Sequence, residues 1–552
     1  MTDQNAQVLA GRRRVVSIDP WSIGAVVIAG LVMLPILVVV GMALFPAENV
    51  WPHLISTTLP RYVMNTGILM VCVAALAAAM GTGAAWLVTM YRFPGARWLE
   101  WLLLLPLAIP AYVGAYALVD FLEYAGPVQT LLRQIFGWSS ARDYWFPEIR
   151  SRGAAILVLS VSLYPYVYLL TRAALREQSG GTYEVARALG AGPFGRFRRV
   201  GLPLARPAIA AGCAIVMMET VNDFGVVEFF AVQTLTTGIF SVWLEGGNAG
   251  GAAQISSVIL VMILFLMGME KVSRRRMRFF NPPRHSRPIT KIELTGVQGL
   301  LAMLFCAVPF ALGFALPTAV IGYHAADATS GWLAPGLLRA LGHTLSAGGI
   351  AAFVTVTAAL FLVYGVRLSG KQLPRLLLPV TTLGYAAPGA VLAVGLLIPM
   401  AAADNALAAF LERFTDDRVG LLMTGSAFAV IYAYCVRFFA IAQGAADSAV
   451  GRVTPSLPMA ARSLGRSARG TLVEVYLPLI RGSIGTALLL VFVDCVKELP
   501  ATLLLRPFGF NTLATRVYEK ASLENINDAS PAALLVIGVG LVAVLLLARA
   551  NR

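Results

Sequence analysis

Charged residues are scarce in this sequence of 552 residues. Asp, Glu, Lys and Arg together make up 13% of the chain, against 58% for hydrophobic residues, and the mean hydropathy is +0.75. Soluble globular domains carry about a quarter charged residues, so the composition excludes a soluble enzyme or a soluble binding module. The sequence instead predicts a polytopic membrane protein.

Histidine and cysteine are also rare. The four histidines are scattered, and the five cysteines all fall in apolar runs without a C-x-x-C spacing. Such a pattern predicts neither a disulfide framework nor a zinc site. The sequence also lacks a histidine cluster that would indicate an integral-membrane enzyme. We therefore expect a chain that catalyses no bond chemistry and binds no cofactor of its own.

Acidic residues are outnumbered by basic ones, 28 against 43, which gives a net charge of +15. The basic residues concentrate in alternate loops when the N-terminus is placed in the cytoplasm. This is the positive-inside bias of membrane proteins, and it explains the charge without a nucleic-acid partner. It predicts a multi-pass membrane protein with both termini in the cytoplasm.

Apolar runs long enough to span a bilayer, roughly 20 residues each, number six in each half. Predicted spans cover 22–45, 63–90, 99–121, 153–174, 205–231, 251–270, 296–322, 343–366, 376–402, 419–442, 481–505 and 531–549. The first run follows three arginines and is too long for a signal peptide, so it is expected to be retained. The fold class is an all-α membrane protein of about twelve helices in two six-helix halves.

The two halves are joined by a basic, proline-containing segment, KVSRRRMRFFNPPRHSRPITK from residue 271. We expect this segment either to lie against anionic headgroups or to form an ordinary solvated loop. Six spans return the chain to the cytoplasm, so the halves are parallel and related by a pseudo-two-fold axis along the membrane normal. The predicted organisation is a tail (1–20), a first membrane domain (21–270), a linker (271–295) and a second membrane domain (296–552).

One loop occurs twice, at an offset of 275 residues. Residues 184–203 read EVARALGAGPFGRFRRVGLP and residues 459–478 read MAARSLGRSARGTLVEVYLP. The identical pairs are Ala186/Ala461, Arg187/Arg462, Leu189/Leu464, Gly190/Gly465, Gly195/Gly470, Val200/Val475, Leu202/Leu477 and Pro203/Pro478. Each copy predicts a short helix that ends at a left-handed glycine. Thr182 is the predicted N-cap of the first helix, and Ser456 and Pro458 start the second. Leu-Pro then opens the fifth span.

Further similarity pairs Pro110 with Pro388 in the third spans, and Trp243 with Tyr518 at the same offset of 275.

Both fifth spans contain polar and charged residues, which are costly inside a membrane and usually functional. These residues are Glu219, Asn222 and Asp223 in the first half and Asp494, Lys497 and Glu498 in the second. The acidic residues are spaced i, i+4, so each pair shares one helix face. Four carboxylates around a central pathway suit a cationic substrate or a gate. Alternatively, they pair with Lys497 or cap a helix that breaks at Gly225 and Pro500.

The duplicated loop resembles the coupling-loop signature of ABC importer permeases, E-A-A-x-x-x-G followed by Leu-Pro. Glu184-Val185-Ala186 matches with one substitution, whereas Met459-Ala460-Ala461 lacks the acidic residue. The resemblance implies a type I importer fold whose loops dock into two copies of an ATPase subunit, which binds ATP and magnesium. An ion-pair role for Glu184 then holds at one docking site only. The implied coupling residues are Glu184, Ala186, Arg187, Gly190, Leu202, Pro203, Ala460, Ala461, Arg462, Gly465, Leu477 and Pro478.

The stretches 218–243 and 496–522 resemble the fused-dimer permeases of ferric-iron ABC importers. That resemblance implies a location in the bacterial inner membrane and a periplasmic binding protein that delivers ferric ion, a hard cation that prefers oxygen ligands. Transient ferric contacts are expected at Glu219, Asp223, Asp494 and Glu498. Permeases for thiamine, phosphonate or polyamine are built alike and remain alternatives. A secondary carrier of the major-facilitator type is the remote alternative, because its basic signature is absent from YRFPGARW at 91–98.

Overall fold

The computed structural model describes residues 20–275 and 290–550, apart from residues 47, 370–371, 383, 385–386, 415–419 and 455. The predicted N-terminal tail, except for residue 20, and residues 276–289 of the predicted linker lie outside the described residues. Within the described residues the secondary structure is helical, with one exception. Tyr91–Arg92 and Ile292–Glu293 form a two-residue parallel strand pair.

The described part of the chain contains eleven single helices that are long and apolar enough to cross a membrane. One bent helix pair, counted as one span, gives the twelve spans that the sequence predicts. Spans 1–6 are Pro20–Leu44, Leu59–Met90, Ala96–Ala108 with Ala111–Leu122, Arg152–Arg176, Leu202–Asn222 and Ala249–Arg275. Spans 7–12 are Gly296–Asp327, Leu337–Ser369, Gln372–Thr381 with Gly389–Leu411, Phe428–Gly451, Leu477–Lys497 and Ile526–Ala550.

Short helices and tight turns connect the spans. The short helices are Trp51–Ser56, Pro127–Phe136, Gly180–Ala188, Pro193–Arg196, Gly225–Phe229, Leu235–Phe240, Thr329–Trp332, Ser456–Ser463, Ala468–Thr471, Pro500–Leu505 and Leu513–Ser522. A 3₁₀ turn covers Leu105–Ala108, and π-helical turns cover Phe197–Gly201, Ser241–Glu245, Ala311–Ala315 and Leu472–Tyr476. We call the end of the bundle that holds residues 177–201 and 452–476 the loop end.

Proline breaks the third span of each half, which confirms the correspondence between Pro110 and Pro388. The two parts of span 3 meet at an angle of 97°, and the residue before the proline, Ile109, is extended with φ −102° and ψ 126°. Proline disfavours a helical conformation in the residue before it. Pro388 likewise precedes the second helix of span 9 as its N-cap.

Span 10 begins nine residues later than the sequence predicts, at Phe428 instead of 419. Asp404, buried in span 9, explains the shift. Its carboxylate accepts hydrogen bonds from the backbone amides of Leu422, Met423 and Thr424, at 2.7–3.0 Å. A turn held by a buried carboxylate therefore replaces the first part of the apolar run.

The two sequence halves interlock. One hydrophobic core joins spans 2–5 with spans 7 and 12, and the other joins spans 8–11 with spans 1 and 6. Polar contacts show the same exchange: the ring of His324 in span 7 hydrogen-bonds to Asp120 in span 3 and to Asn527 in span 12, both at 2.7 Å. The Tyr432 hydroxyl in span 10 donates to the Leu31 carbonyl in span 1 at 2.8 Å. The first and last spans of each half thus pack on the other half.

The internal repeat changes offset after the fifth spans. Matching capping boxes start the helices Leu235–Phe240 and Leu513–Ser522, at Thr234 and Thr512. These threonines are 278 residues apart, so three residues are inserted in the second copy. By this register Tyr518 corresponds to Phe240, and the predicted pairing of Tyr518 with Trp243 is wrong.

Candidate functional site

The duplicated loop forms the same structure twice. We call its two helices loop helix 1 (Gly180–Ala188) and loop helix 2 (Ser456–Ser463). Both start before the repeated segment. Each is followed two residues later by a left-handed glycine, Gly190 or Gly465, with φ +81°. The amides of Gly190 and Ala191 donate to the carbonyls of Arg187 and Ala186, each at 3.0 Å. The second loop repeats this pattern at 3.0 Å. The predicted left-handed helix ends are therefore confirmed.

The predicted N-cap of loop helix 1 is wrong. Ser179, not Thr182, precedes the helix, and Thr182 is its third residue. Gly180 and Gly181 carry no sequence signal for a helix, because glycine is among the weakest helix formers. Tertiary packing of the buried Tyr183 side chain outweighs that weak propensity. The predicted Ser456 start of loop helix 2 is confirmed, since the helix begins there.

Each loop helix exposes a leucine beside the glycine that ends it. Leu189 and Leu464 are both 82% exposed, and they occupy identical positions in the repeat. Val185 and Met459 are further exposed apolar residues on the two helices. Arg187, Arg462 and Glu184 are exposed as well. Repeated apolar side chains on an exposed, otherwise polar loop indicate a surface that contacts another protein.

The support beneath the two loop helices differs. Trp86 of span 2 fills the space under loop helix 1, with ring centroids 5.9 Å from Tyr183 and 5.2 Å from Phe197. Under loop helix 2, Tyr364 packs edge-on against Tyr476 at 5.3 Å. A cavity of about 510 Å³ remains beside these two rings. The two loops therefore have the same backbone structure but different side-chain packing beneath their helices.

The six predicted polar residues of the fifth spans come together in one central cavity of about 160 Å³. Both predicted breaks are present: span 5 ends at Asn222 and span 11 at Lys497, and new short helices start at Gly225 and Pro500. Spans 3, 4 and 10 complete the wall. The residues that line this one cavity include Glu219, Asn222, Asp223, Asp494, Lys497 and Glu498.

Two of the four carboxylates cap the helices that follow the breaks. The Oδ1 atom of Asp223 accepts the amides of Val226 and Val227, at 3.0 and 3.1 Å. Glu498 accepts the amides of Ala501 and Thr502, at 3.1 and 3.2 Å. The capping alternative that the sequence left open therefore describes both of these residues.

In the second half, the cavity carboxylates form ion pairs, which is the other alternative that the sequence left open. Lys497 Nζ lies 3.7 Å from Asp494 and donates to the Leu107 carbonyl at 2.8 Å. Arg437 of span 10 lies 2.9 Å from Glu498 Oε1. Arg437 was not among the residues predicted from the sequence. The available signal was a single arginine in the middle of an apolar run, which is rare in a span unless it is functional.

The first half has no equivalent of these cations. At the offset of 275, Ser162 stands where the second half has Arg437, and Asn222 where it has Lys497. Among the described residues, the cavity wall therefore carries four carboxylates and two cations, and both cations come from the second half. Within the described residues, no group of three or more His, Cys, Asp or Glu side chains is placed to hold a metal ion. The ferric contact remains a prediction.

Gly389 makes room for the Arg437–Glu498 pair. A Cβ atom at this position would lie 2.3 Å from Glu498 Oε1 and 2.4 Å from Arg437 Nη1. We expect Gly389→Ala to displace the pair and to lower the free energy of unfolding by about 1–3 kcal/mol, as overpacking does. Thermal unfolding of the purified protein would measure this. The first-half counterpart is Ala111, so Ala111→Gly is the matched control, and equal effects of both changes would contradict the expectation.

Known proteins resemble this chain in sequence. Residues 77–279 match the family described as binding-protein-dependent transport system inner membrane component. The Fe(3+)-transport system permease protein FbpB 2 of Haemophilus influenzae is 26% identical over 477 residues, 86% of each chain. The molybdenum transport system permease protein ModB of Escherichia coli is 29% identical over 35% of this chain and 85% of its own.

A third relative, the sulfate transport system permease protein CysT of Salmonella typhimurium, is 31% identical over 33% of this chain and 65% of its own length. The two shorter alignments each cover about a third of the chain, whereas the alignment with the Fe(3+) permease covers 86% of it and so includes both halves. The duplicated loops, the twelve spans and these matches agree. This chain is a multi-pass inner membrane permease of a binding-protein-dependent ABC importer, a transport subunit that carries both permease halves in one polypeptide.

Proposed function

We propose that this permease imports ferric iron. A periplasmic binding protein delivers the iron, and ATP hydrolysis on two separate ATPase subunits drives its transport into the cell. The observation that supports this cargo best is the central cavity, where four carboxylates outnumber two cations. Hard cations prefer such oxygen ligands. The name of the ferric relative that aligns with both halves supports the same cargo.

The two ATPase subunits bind loop helices 1 and 2 in this proposal, with ATP and magnesium held on those subunits. The exposed Leu189 and Leu464 supply the apolar contacts. Helical structure runs without interruption from Pro193 to Asn222 and from Ala468 to Lys497. A movement of the loop helices is therefore carried directly to the two breaks that bound the cavity. Closure of the ATPases would draw these helices together and switch the cavity from inward-facing to outward-facing.

The loop end faces the cytoplasm in this proposal, together with both termini, since basic residues concentrate there. The opposite end, with the helix Pro127–Phe136, then faces the periplasm. This helix is joined to an aromatic stack in which Trp138 packs on Phe136 and Tyr144, each with ring centroids 4.7 Å apart. The exposed Trp145 beside the stack offers further apolar surface to lipid or to the binding protein.

Other cargoes fit parts of the same architecture. Thiamine and polyamines are cationic and would also suit an acidic cavity, whereas phosphonate, molybdate and sulfate are anionic. Both cations of the cavity wall are already paired with carboxylates, at 2.9 and 3.7 Å. An anion would have to displace these partners, so the cavity favours a cation.

Uptake into proteoliposomes tests the proposal. The vesicles would contain the permease and its neighbouring ATPase, with the binding protein added outside and ferric ion, thiamine or molybdate offered in parallel. We expect iron uptake that requires ATP and all three proteins. Uptake of thiamine or molybdate instead of iron would overturn the ferric assignment while keeping the importer architecture.

Glu184 tests the asymmetry between the docking sites. It is exposed on loop helix 1, and its counterpart is Met459. We expect Glu184→Lys to weaken the coupling of ATP hydrolysis to transport at one of the two sites, while the yield and thermal stability of the protein are unchanged. Binding-protein-stimulated ATPase activity measures this, with Thr182→Lys as a control that introduces a lysine on the same helix without removing a carboxylate. Normal transport and normal stimulation in Glu184→Lys would refute the assigned role.

A further inference from the structure

The cavity beneath loop helix 2 is large enough to hold a ligand. Its volume is about 510 Å³, against about 160 Å³ for the central cavity, and small-molecule sites span roughly 300–1,000 Å³. Spans 8, 9 and 10 form one side of its wall, and loop helix 2 with the Tyr476 ring forms the other. The cavity therefore separates a loop helix from the spans at the loop end.

The internal repeat explains why this cavity is present in the second half. The rings that fill the space under loop helix 1 are those of Trp86, Tyr183 and Phe197. The residues at the corresponding positions of the second half are Tyr364, Pro458 and Leu472. Tyr364 is assigned by the offset of 278 that relates Pro110 to Pro388, and the other two by the offset of 275. A proline and a leucine thus replace two aromatic rings and leave room.

The charged part of the cavity wall is mostly basic. Its charged residues, among those that the structure describes, are Arg367, Arg375, Asp447 and Arg462. Asp447 pairs with Arg367 at 3.0 Å, which leaves Arg375 and Arg462 without an acidic partner among these lining residues. The two arginines come from separate elements, span 9 and loop helix 2. Since a guanidinium group binds phosphate oxygens in a bidentate geometry, the wall suits a phosphate group.

The position of the cavity favours a phosphate group carried by a lipid. Arg367 lies in the last turn of span 8 and Arg375 in the first turn of span 9, so both lie where the spans leave the membrane. Basic pockets between spans at this level bind anionic headgroups. Leu376, next to Arg375, is 68% exposed, and Leu378 adds apolar surface to the cavity wall. This part of the wall is thus within reach of the surrounding lipid.

We propose that the cavity beneath loop helix 2 binds the phosphate group of an anionic phospholipid, held by Arg375 and Arg462. The headgroup joins loop helix 2 to span 9, as the rings of Trp86 and Tyr183 join loop helix 1 to span 2. One loop helix is then supported by the chain itself and the other by a lipid. The site is additional to the proposed import function and does not depend on the identity of the cargo.

Native mass spectrometry of the full-length permease measures the affinity of its tightest bound lipid. Phosphatidylglycerol, which is anionic, and phosphatidylethanolamine, which is zwitterionic, would be titrated in parallel. We expect the wild type to prefer phosphatidylglycerol, and Arg375→Gln with Arg462→Gln to weaken its binding at least tenfold. The matched control is Arg97→Gln with Arg187→Gln, which removes the corresponding exposed arginines of the first half. This control should keep the affinity of the wild type.

A second variant tests the cavity without changing its charge. Leu472→Phe introduces the ring that Phe197 supplies in the first half, and it should also weaken phosphatidylglycerol binding. Thermal unfolding shows whether each variant is folded. Equal lipid affinity in the wild type and both cavity variants would overturn the proposal, as would equal weakening by the first-half control.

The source of the phosphate group is tested in nanodiscs of phosphatidylcholine, titrated with inorganic phosphate. We expect no saturable binding there, because the proposed ligand is a lipid headgroup. Saturable phosphate binding that is lost in the Arg375→Gln, Arg462→Gln variant, without a preference for phosphatidylglycerol, would overturn the lipid as the source. None of these measurements requires iron uptake, so failure of the lipid site and failure of the ferric function are distinguishable.

Discussion

Replacing Leu189 and Leu464 together by aspartate should detach the ATPase subunits and abolish ATP-dependent uptake. Both leucines are 82% exposed in the permease alone, and each lies at the end of a loop helix. Burial of a leucine side chain contributes about 1.5–3 kcal/mol, and a few such residues dominate most interfaces. A buried aspartate without a partner adds a desolvation cost. The double variant should therefore lose docking at both sites.

Co-purification of the ATPase with the permease measures this effect directly. Leu333→Asp is the matched control, because Leu333 is 87% exposed and lies between spans 7 and 8, at the end opposite the loop end. The control should retain the ATPase. Each single variant should keep one docking site and show an intermediate amount of bound ATPase. Full binding by the double variant would mean that the ATPase uses another surface.

Local features of this chain could be predicted from its sequence. Hydropathy identified twelve spans, and the glycines and prolines of the repeat located the loop helices and the breaks after Asn222 and Lys497. These features depend on the backbone preferences of single residues and on segment length. The shared cavity also followed, because two aligned spans with the same polar pattern meet at a pseudo-two-fold axis.

Contacts between distant segments could not be predicted. The Arg437–Glu498 pair joins spans 10 and 11, and nothing in the local sequence of either span specifies the partner. Asp404 accepts the amide of Leu422, 18 residues away, and so holds a turn in place of the first part of an apolar run. The exchange of first and last spans between the halves is equally hidden, since all spans have similar apolar composition. Tertiary packing decides each of these features.

Neutralising Glu219 and Asp494 together should slow transport at least tenfold without preventing assembly. Both carboxylates line the central cavity. They lie one turn before the breaks, whereas the amides after the breaks are held by Asp223 and Glu498. Glu219→Gln with Asp494→Asn keeps the side-chain shapes and removes two negative charges. A cationic cargo would then lose half of the carboxylates in the cavity.

Glu498→Gln is the informative comparison, because its expected failure is structural. It would leave the buried Arg437 without its carboxylate, and breaking a buried ion pair by removing one partner costs about 3–5 kcal/mol. Glu498→Gln should therefore lower the thermal stability strongly. The Glu219→Gln, Asp494→Asn variant should lower the thermal stability only slightly but should slow iron uptake. Wild-type uptake by the double variant would show that Glu219 and Asp494 only stabilise the fold. If both variants were unstable, Glu219 and Asp494 would have a structural role like that of Glu498, and the expected difference between these residues would be wrong.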